Sequence, residues 1–310
     1  MPFFPVGAPE PLAIRGPFAA LTIDAQRRRV FAAGARSVVM LDADTGKLLA
    51  TVRIGGALSV AIEPLGGHIF VATRDGRISE IDPDRKSVVR SLDAGGAVDV
   101  LFYDSSSGRL YADGDGRAAL ATFDTKTFAA TAPVALPGRV PASLAPDPVT
   151  GELYVEFSDR PEIAIVDPLR GTVRAAFPTP GLLGNRIVSF DDALGQIVIV
   201  GSNGILDVYD RAGTRRARVA VPTGAIACDL DTGDHVLACT DPAGLTFVQL
   251  QREAAPHIIG TAAPPGTALV ALDATTHDAL VVRSNPDGSG AAMERFSASP
   301  PAPSPSPSAR

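Results

Sequence analysis

The sequence predicts an all-β fold, a seven-bladed β-propeller of four-stranded antiparallel blades. Three observations predict it. An acidic residue closes a short apolar run seven times, at Asp24, Glu63, Asp104, Asp147, Asp191, Asp231 and Asp273, with spacings of 39, 41, 43, 44, 40 and 42 residues. That period, about 42, is the length of one four-stranded propeller blade. Each acid is followed by a polar turn and a second apolar run, such as Val30-Phe31-Ala32, Leu153-Tyr154-Val155 or Ile197-Val198-Ile199. Finally, 30 glycines and 27 prolines punctuate the 310 residues and leave little room for helices.

The first apolar run of each repeat reads as the inner strand. Two positions before the closing acid stand Thr22, Ala61, Phe102, Ala145, Ser189, Asp229 and Ala271, mostly small, as crowding near an axis demands. The acid itself recurs in every repeat and so reads as structural, an Asp-type turn into the second strand. The second run is rich in β-branched and aromatic residues, a strand signature. A third strand ends on Asp42, Asp82, Asp124, Asp167 and Asp210, with Gln251 and Ser297 expected in that position of repeats six and seven. A corner such as Asp42-Ala43-Asp44-Thr45-Gly46 leads into a fourth strand, as in Leu48 to Arg53. Phe18 to Ala33 and Arg117 to Ala132 are Ala-rich and helical in propensity, but their register with the other repeats makes them strands.

The seventh repeat lacks a fourth strand, and Leu12-Ala13-Ile14-Arg15 precedes the first repeat without a partner. The N-terminal segment is therefore expected to close the ring as the outer strand of the last blade. Residues 1–11 form an N-terminal extension, 12–298 the propeller, and 299–310 a Pro/Ser-rich tail expected to be disordered.

Composition narrows the function. Net charge is −6 and no basic run exceeds Arg27-Arg28-Arg29, which argues against nucleic acid. No apolar run reaches the roughly 18 residues of a membrane span. The N-terminus carries no basic and apolar leader pattern, leaving a cytoplasmic protein, or a periplasmic or extracellular one whose leader was removed. Cys228 and Cys239 flank one hairpin, opposite or diagonal according to turn length. Buried free thiols are the expectation, and a disulfide would require export. His68, His235, His257 and His277 belong to different repeats without zinc spacing, so exposed histidines and no metal site are expected. No cofactor motif is present: there is no C-x-x-C-H, no G-x-S-x-G, and the glycine-rich Asp113-Gly114-Asp115-Gly116 and Gly201-Ser202-Asn203-Gly204 lie between strands instead of opening helices.

Ligand sites in propellers sit over the channel, at the end where blade connections and second-to-third loops meet. Asp99, Arg139, Asn185, Arg186 and Asp229 fall near the inner strands there, and Arg36, Arg74, Asp113, Asp115, Arg160 and Asn203 on the loops. Asp99, Arg186 and Asp229 stand where other repeats place apolar or small residues. A buried charge needs a partner, so these three read as an anion or metal site at the channel mouth, or as charges that pair with one another or face channel water; with Arg139 and Asn185 they make up the expected ligand-binding set.

The stretch VFAAGARSVVMLDADTGKLLATV, Val30 to Val52, with Gly55-Gly56 and Ser59-Val60-Ala61-Ile62 after it, resembles a YVTN-type propeller repeat, and the chain from 19 to 297 resembles YncE-like bacterial propellers. The YVTN tetrapeptide itself does not occur. The resemblance implies an exported protein with a binding role. The expected function is a non-catalytic scaffold presenting a face or channel to a protein or small ligand. The alternative is a lactonase-type hydrolase with a divalent metal held near Asp99, Asn185, Arg186 and Asp229. A redox-partner subunit like those of quinoprotein dehydrogenases is third.

Overall fold

In the computed structural model the chain forms seven four-stranded antiparallel sheets, and residues 10–113, 117–138, 141–157, 159–184, 186–262, 266–284 and 291–297 are described. The expectations for the first nine residues and for the tail fall outside that range, as do Asp115, Arg139 and Asn185.

Blade 1 is β2 (Phe18–Asp24), β3 (Arg29–Gly34), β4 (Ser37–Asp42) and β5 (Leu48–Arg53). Blade 2 is β6 (Ala57–Ile62), β7 (Ile69–Thr73), β8 (Arg77–Asp82) and β9 (Ser87–Asp93). Blade 3 is β10 (Val100–Asp104), β11 (Arg109–Asp113), β12 (Ala119–Asp124) and β13 (Ala129–Ala135). Blade 4 is β14 (Pro141–Pro146), β15 (Leu153–Phe157), β16 (Glu162–Asp167) and β17 (Thr172–Pro178). Blade 5 is β18 (Arg186–Asp191), β19 (Gln196–Gly201), β20 (Ile205–Asp210) and β21 (Arg215–Ala220). Blade 6 is β22 (Ala227–Asp231), β23 (Val236–Asp241), β24 (Gly244–Gln249) and β25 (His257–Ala262). Blade 7 takes β26 (Thr267–Leu272), β27 (Ala279–Ser284) and β28 (Ala291–Phe296) from the C-terminal side and β1 (Glu10–Gly16) as its outer strand. The ring is thus closed as the unpaired N-terminal segment predicts, with Glu10 opposite Arg295 and Gly16 opposite Ala291.

The core is divided among the blade junctions. One apolar cluster lies between each successive pair of blades, and the one between blades 7 and 1 joins Leu12, Ile14 and Met293 to Val30, Ala32 and Leu41. This explains the second strands, predominantly apolar and buried along their whole length. Two positions before the closing acid, Ala61 packs with Leu101 and Leu110 of the next blade and Ala145 with Val188 and Phe190. Inner strands have a free edge, and side chains of the preceding blade accept some of its amides. Leu101 N donates to Ser59 Oγ at 3.1 Å, Val188 N to Ser143 Oγ at 3.0 Å and Leu272 N to Asp229 Oδ2 at 2.7 Å.

Register defines the two ends of the ring. Asp24 faces Arg29, and Arg29 faces Asp42, so first-to-second turns and third-to-fourth corners share one end. Blade connections and second-to-third hairpins occupy the other. At the corners Asp42 accepts Thr45 N, and Asp124 accepts Lys126 N and Thr127 N, the Asx-type geometry that their sequence suggests. Blade 6 corrects the alignment. Val236 faces Gln249 and Leu250 N donates to His235 O, as Ala43 N does to Arg28 O, so Gln249, and not Gln251, stands in the Asp42 position.

Candidate functional site

Every closing acid builds its turn. Asp24 accepts Arg27 N, Glu63 accepts Leu65 N and Gly66 N, Asp104 accepts Ser106 N, and Asp147 accepts Val149 N and Thr150 N. Asp191, Asp231 and Asp273 accept Leu194 N, Gly233 N and Thr275 N in the same manner. Four residues after each acid the turn requires positive φ, and Gly67, Gly108, Gly151 and Gly195 supply it without cost. The remaining blades place Arg28 (φ 53°), His235 (φ 57°) and His277 (φ 60°) there, a left-handed backbone that disfavours side chains.

Those three side chains share one task. Each holds the closing acid of the preceding blade: Arg28 to Asp273 at 2.8 and 2.6 Å, His235 Nδ1 to Asp191 at 2.7 Å, and His277 Nδ1 to Asp231 at 2.5 Å. The acids themselves are buried. These two histidines are therefore half-buried and hydrogen-bonded to buried carboxylates, where the sequence predicts exposure, and His235 shares its turn position with His277 instead of His68. His68 lies one position later and bonds Glu80 within its own blade. Burial works against charge on His277, but the Asp231 hydrogen bond and the charges of Asp231, Asp234 and Asp273 outweigh it and raise its pKa. Asp231, Asp234 and His277 bring possible ligand atoms within 4.8 Å of one another. Here Nδ1 of His277 and an oxygen of Asp231 are spent on each other, so the trio is an ion pair with a third charge nearby.

Two of the glycine junctions recruit a guanidinium from elsewhere. Arg27 bonds Asp24 and reaches the Pro64 and Leu65 carbonyls of blade 2 over Gly67. Arg211 stands over Gly195, bonds Asp147 at 2.7 Å and lies on the Phe190 ring at 5.1 Å. Burial pushes Asp147 up, but the Arg211 bond and two backbone amides prevail and hold it below the ordinary aspartate value.

At the same end of the channel a cavity of about 410 Å3 spans blades 1 to 4. Its wall is largely apolar, with Ile23, Ile62, Phe102, Tyr103 and Leu153, and its charged groups are Asp24, Asp104 and Asp147. Sequence reasoning looked to the opposite end. There Asp99 is exposed and its amide bonds Asp113 O, Arg36 and Arg74 are exposed, and Arg186 opens β18. Asn203 is a brace: it accepts Leu183 N and donates to Gly181 O. Arg160 bonds Pro137 O. Asp229 lies on β22 of blade 6, away from Asp99 in blade 3, and its two oxygens accept Leu230 N and Leu272 N. It is partly exposed, yet the carboxyl is packed between inner strands. Desolvation, with the Asp231 charge, prevails over those two amides and pushes it up to about 6. Asp229 acts as a brace between blades 6 and 7.

Cys228 and Cys239 stand opposite each other in β22 and β23, with Cα atoms 4.1 Å apart, and form a disulfide. The expectation of free thiols is corrected. A tight β22–β23 turn puts the two residues directly across the ladder, an approach that short turn length alone decides.

The fold is shared with a known assembly. A chain of Kuenenia stuttgartiensis hydrazine synthase superposes with a TM-score of 0.73 over 95% of this chain and 99% of that one, at 16% identity. At that identity the likeness concerns the fold alone. No family model matches the sequence, and no curated protein does.

Proposed function

We propose that the chain is a YncE-like binding propeller, non-catalytic, which takes a small ligand in the cavity at the closing-acid mouth of its channel. The observation that carries this reading is the cavity itself: about 410 Å3 of largely apolar wall assembled from four consecutive blades, with polar groups at its margin. Such concave, mostly apolar sites with few polar groups are the usual form of small-molecule pockets. The carboxylates there are hydrogen-bonded into turns, Asp147 is also held by Arg211, and no histidine, cysteine or lysine stands among the described residues of the lining. The Cys228–Cys239 bond supports an oxidising compartment, in keeping with export.

The test is a ligand-observed NMR screen of small fragments against the folded chain and a Ser105→Trp variant. Ser105 is an exposed turn residue in the cavity lining, so the indole fills the space without touching the core. Fragments that bind the parent and lose binding in the variant support the reading. A screen without hits, or with hits indifferent to Ser105→Trp, rejects it.

A further inference from the structure

Five blade junctions at the closing-acid end carry an arginine or histidine side chain against the acid: Arg28 on Asp273, Arg27 on Asp24, Arg211 on Asp147, His235 on Asp191 and His277 on Asp231. The other two are consecutive, between blades 2 and 3 and between blades 3 and 4. Among the described residues Glu63 is met there only by the amides of Leu65 and Gly66. Among the described residues Asp104 is met only by the amide and hydroxyl of Ser106 and the hydroxyl of Ser107. Gly108 and Gly151 occupy the turn positions that would deliver a cation, and no guanidinium stands over them: a Cβ at Gly108 would meet only Thr125 Oγ1 at 3.8 Å, and one at Gly151 only Ser106 Oγ at 3.7 Å. Neighbouring cations are engaged elsewhere, Arg90 and His68 with Glu80. Arg109 faces Asp104 across the ladder without an ion pair.

The cavity opens at these two junctions. Asp104, Ser105, Ser106, Tyr103, Pro64 and Gly151 line it, and its lining contains no lysine, arginine or histidine. We infer that the cavity selects a small organic cation with an apolar body, its ammonium or amidinium group seated by Asp104 in the place where other junctions hold a protein cation. The inference rests on the cavity being the binding site. Charge complementarity and the rings of Phe102 and Tyr103 favour such a ligand: a carboxylate screened only by neutral donors attracts a cation, and aromatic faces do the same at short range. Tyr103 registers the local field, its phenol being raised by burial and then by the charges of Glu63 and Asp104.

Three probes of one shape and different charge test this: phenethylamine, phenethyl alcohol and 3-phenylpropionate, titrated by NMR. The amine should bind at least about tenfold more tightly than the alcohol, about 1.4 kcal/mol, the carboxylate should not bind, and added salt should weaken the amine alone. Asp104→Asn keeps a turn acceptor and should cost the amine about tenfold. Gly151→His supplies the missing junction cation, since His277 reaches Asp231 from the same turn position, and should abolish amine binding at acidic pH with Asp104 intact. Alcohol binding equal to amine binding, or amine affinity unmoved in both variants, overturns the cation inference while leaving the cavity a ligand site. No binding by any probe also overturns it; the cavity reading then stands or falls on its own fragment screen.

Discussion

His277→Gly separates two opposing effects at one turn. The left-handed backbone at φ 60° disfavours a side chain, so glycine should recover about 1 kcal/mol. Against that, the variant loses the bond from His277 to Asp231, which is buried. A hydrogen bond between charged partners contributes about 1.5–3 kcal/mol. At pH 5.5 the net loss should be about 0.5–2 kcal/mol. The His277 pKa is raised in the fold, so its contribution is fully present below the ordinary imidazole value of 6.5 and is lost as pH rises through the folded value. At pH 8.5 parent and variant should therefore be nearly equal, or the variant slightly more stable. Asp229 also titrates in the acid range. Its raised pKa makes the folded state bind a proton more readily, so stability falls as pH rises from about 4 to about 6. That slope is common to both chains and cancels in the difference. Equilibrium urea unfolding of both at the two pH values gives the comparison. A difference independent of pH, or a variant more stable at pH 5.5, would refute the account of His277 as a protonated latch.

Two further outcomes are expected. Alkylation of the unfolded, unreduced chain should give no thiol adducts, and replacing Cys228 and Cys239 with alanine should cost at most about 3 kcal/mol, the loop-entropy value for so short a loop; two adducts would exclude the bond. Ile14→Ala, in the strand that closes the ring, should cost about 2–4 kcal/mol and raise amide exchange first in its partner β28; exchange rising equally in blade 3 would exclude β1 as the closure.

Features with a local cause were legible in the sequence. The period, the Asp turns, the corners and the spare N-terminal strand all follow from residues within one repeat, or from one strand too many at one end and too few at the other. The junction cations were not legible as such, because Arg28 and Asp273 are 245 residues apart and meet only when the ring closes. A trace did exist: aligned on the closing acid, the fourth following position is glycine in four repeats and Arg28, His235 or His277 in three. The disulfide escaped because its pairing depends on the length of the β22–β23 turn. Gln249 escaped for a related reason: β23 and β24 turn through Pro242 and Ala243, which shortens the hairpin and shifts the third-strand end. The cavity belongs to no single repeat and could not be read from any of them.

A feature repeated in all seven blades is explained by what all seven blades need, here a turn and a neutralised acid. Departures from the repeat are where a particular function can enter. Placing Arg28, His235 and His277 in a strained backbone is a cost that glycine would avoid, and each is offset by a cross-blade bond to a buried carboxylate. Those three junctions are consecutive and include the one between blades 7 and 1, beside the β1–β28 pairing that closes the ring. Blades 2 to 4 forgo such pairs, and Glu63 and Asp104 keep their charge facing neutral donors. A ring fastened over five junctions can leave two open, and the open pair coincides with the cavity of about 410 Å3 that spans blades 1 to 4. Fastening and binding then use the same acid at the same turn position, and what distinguishes them is whether the cation belongs to the chain.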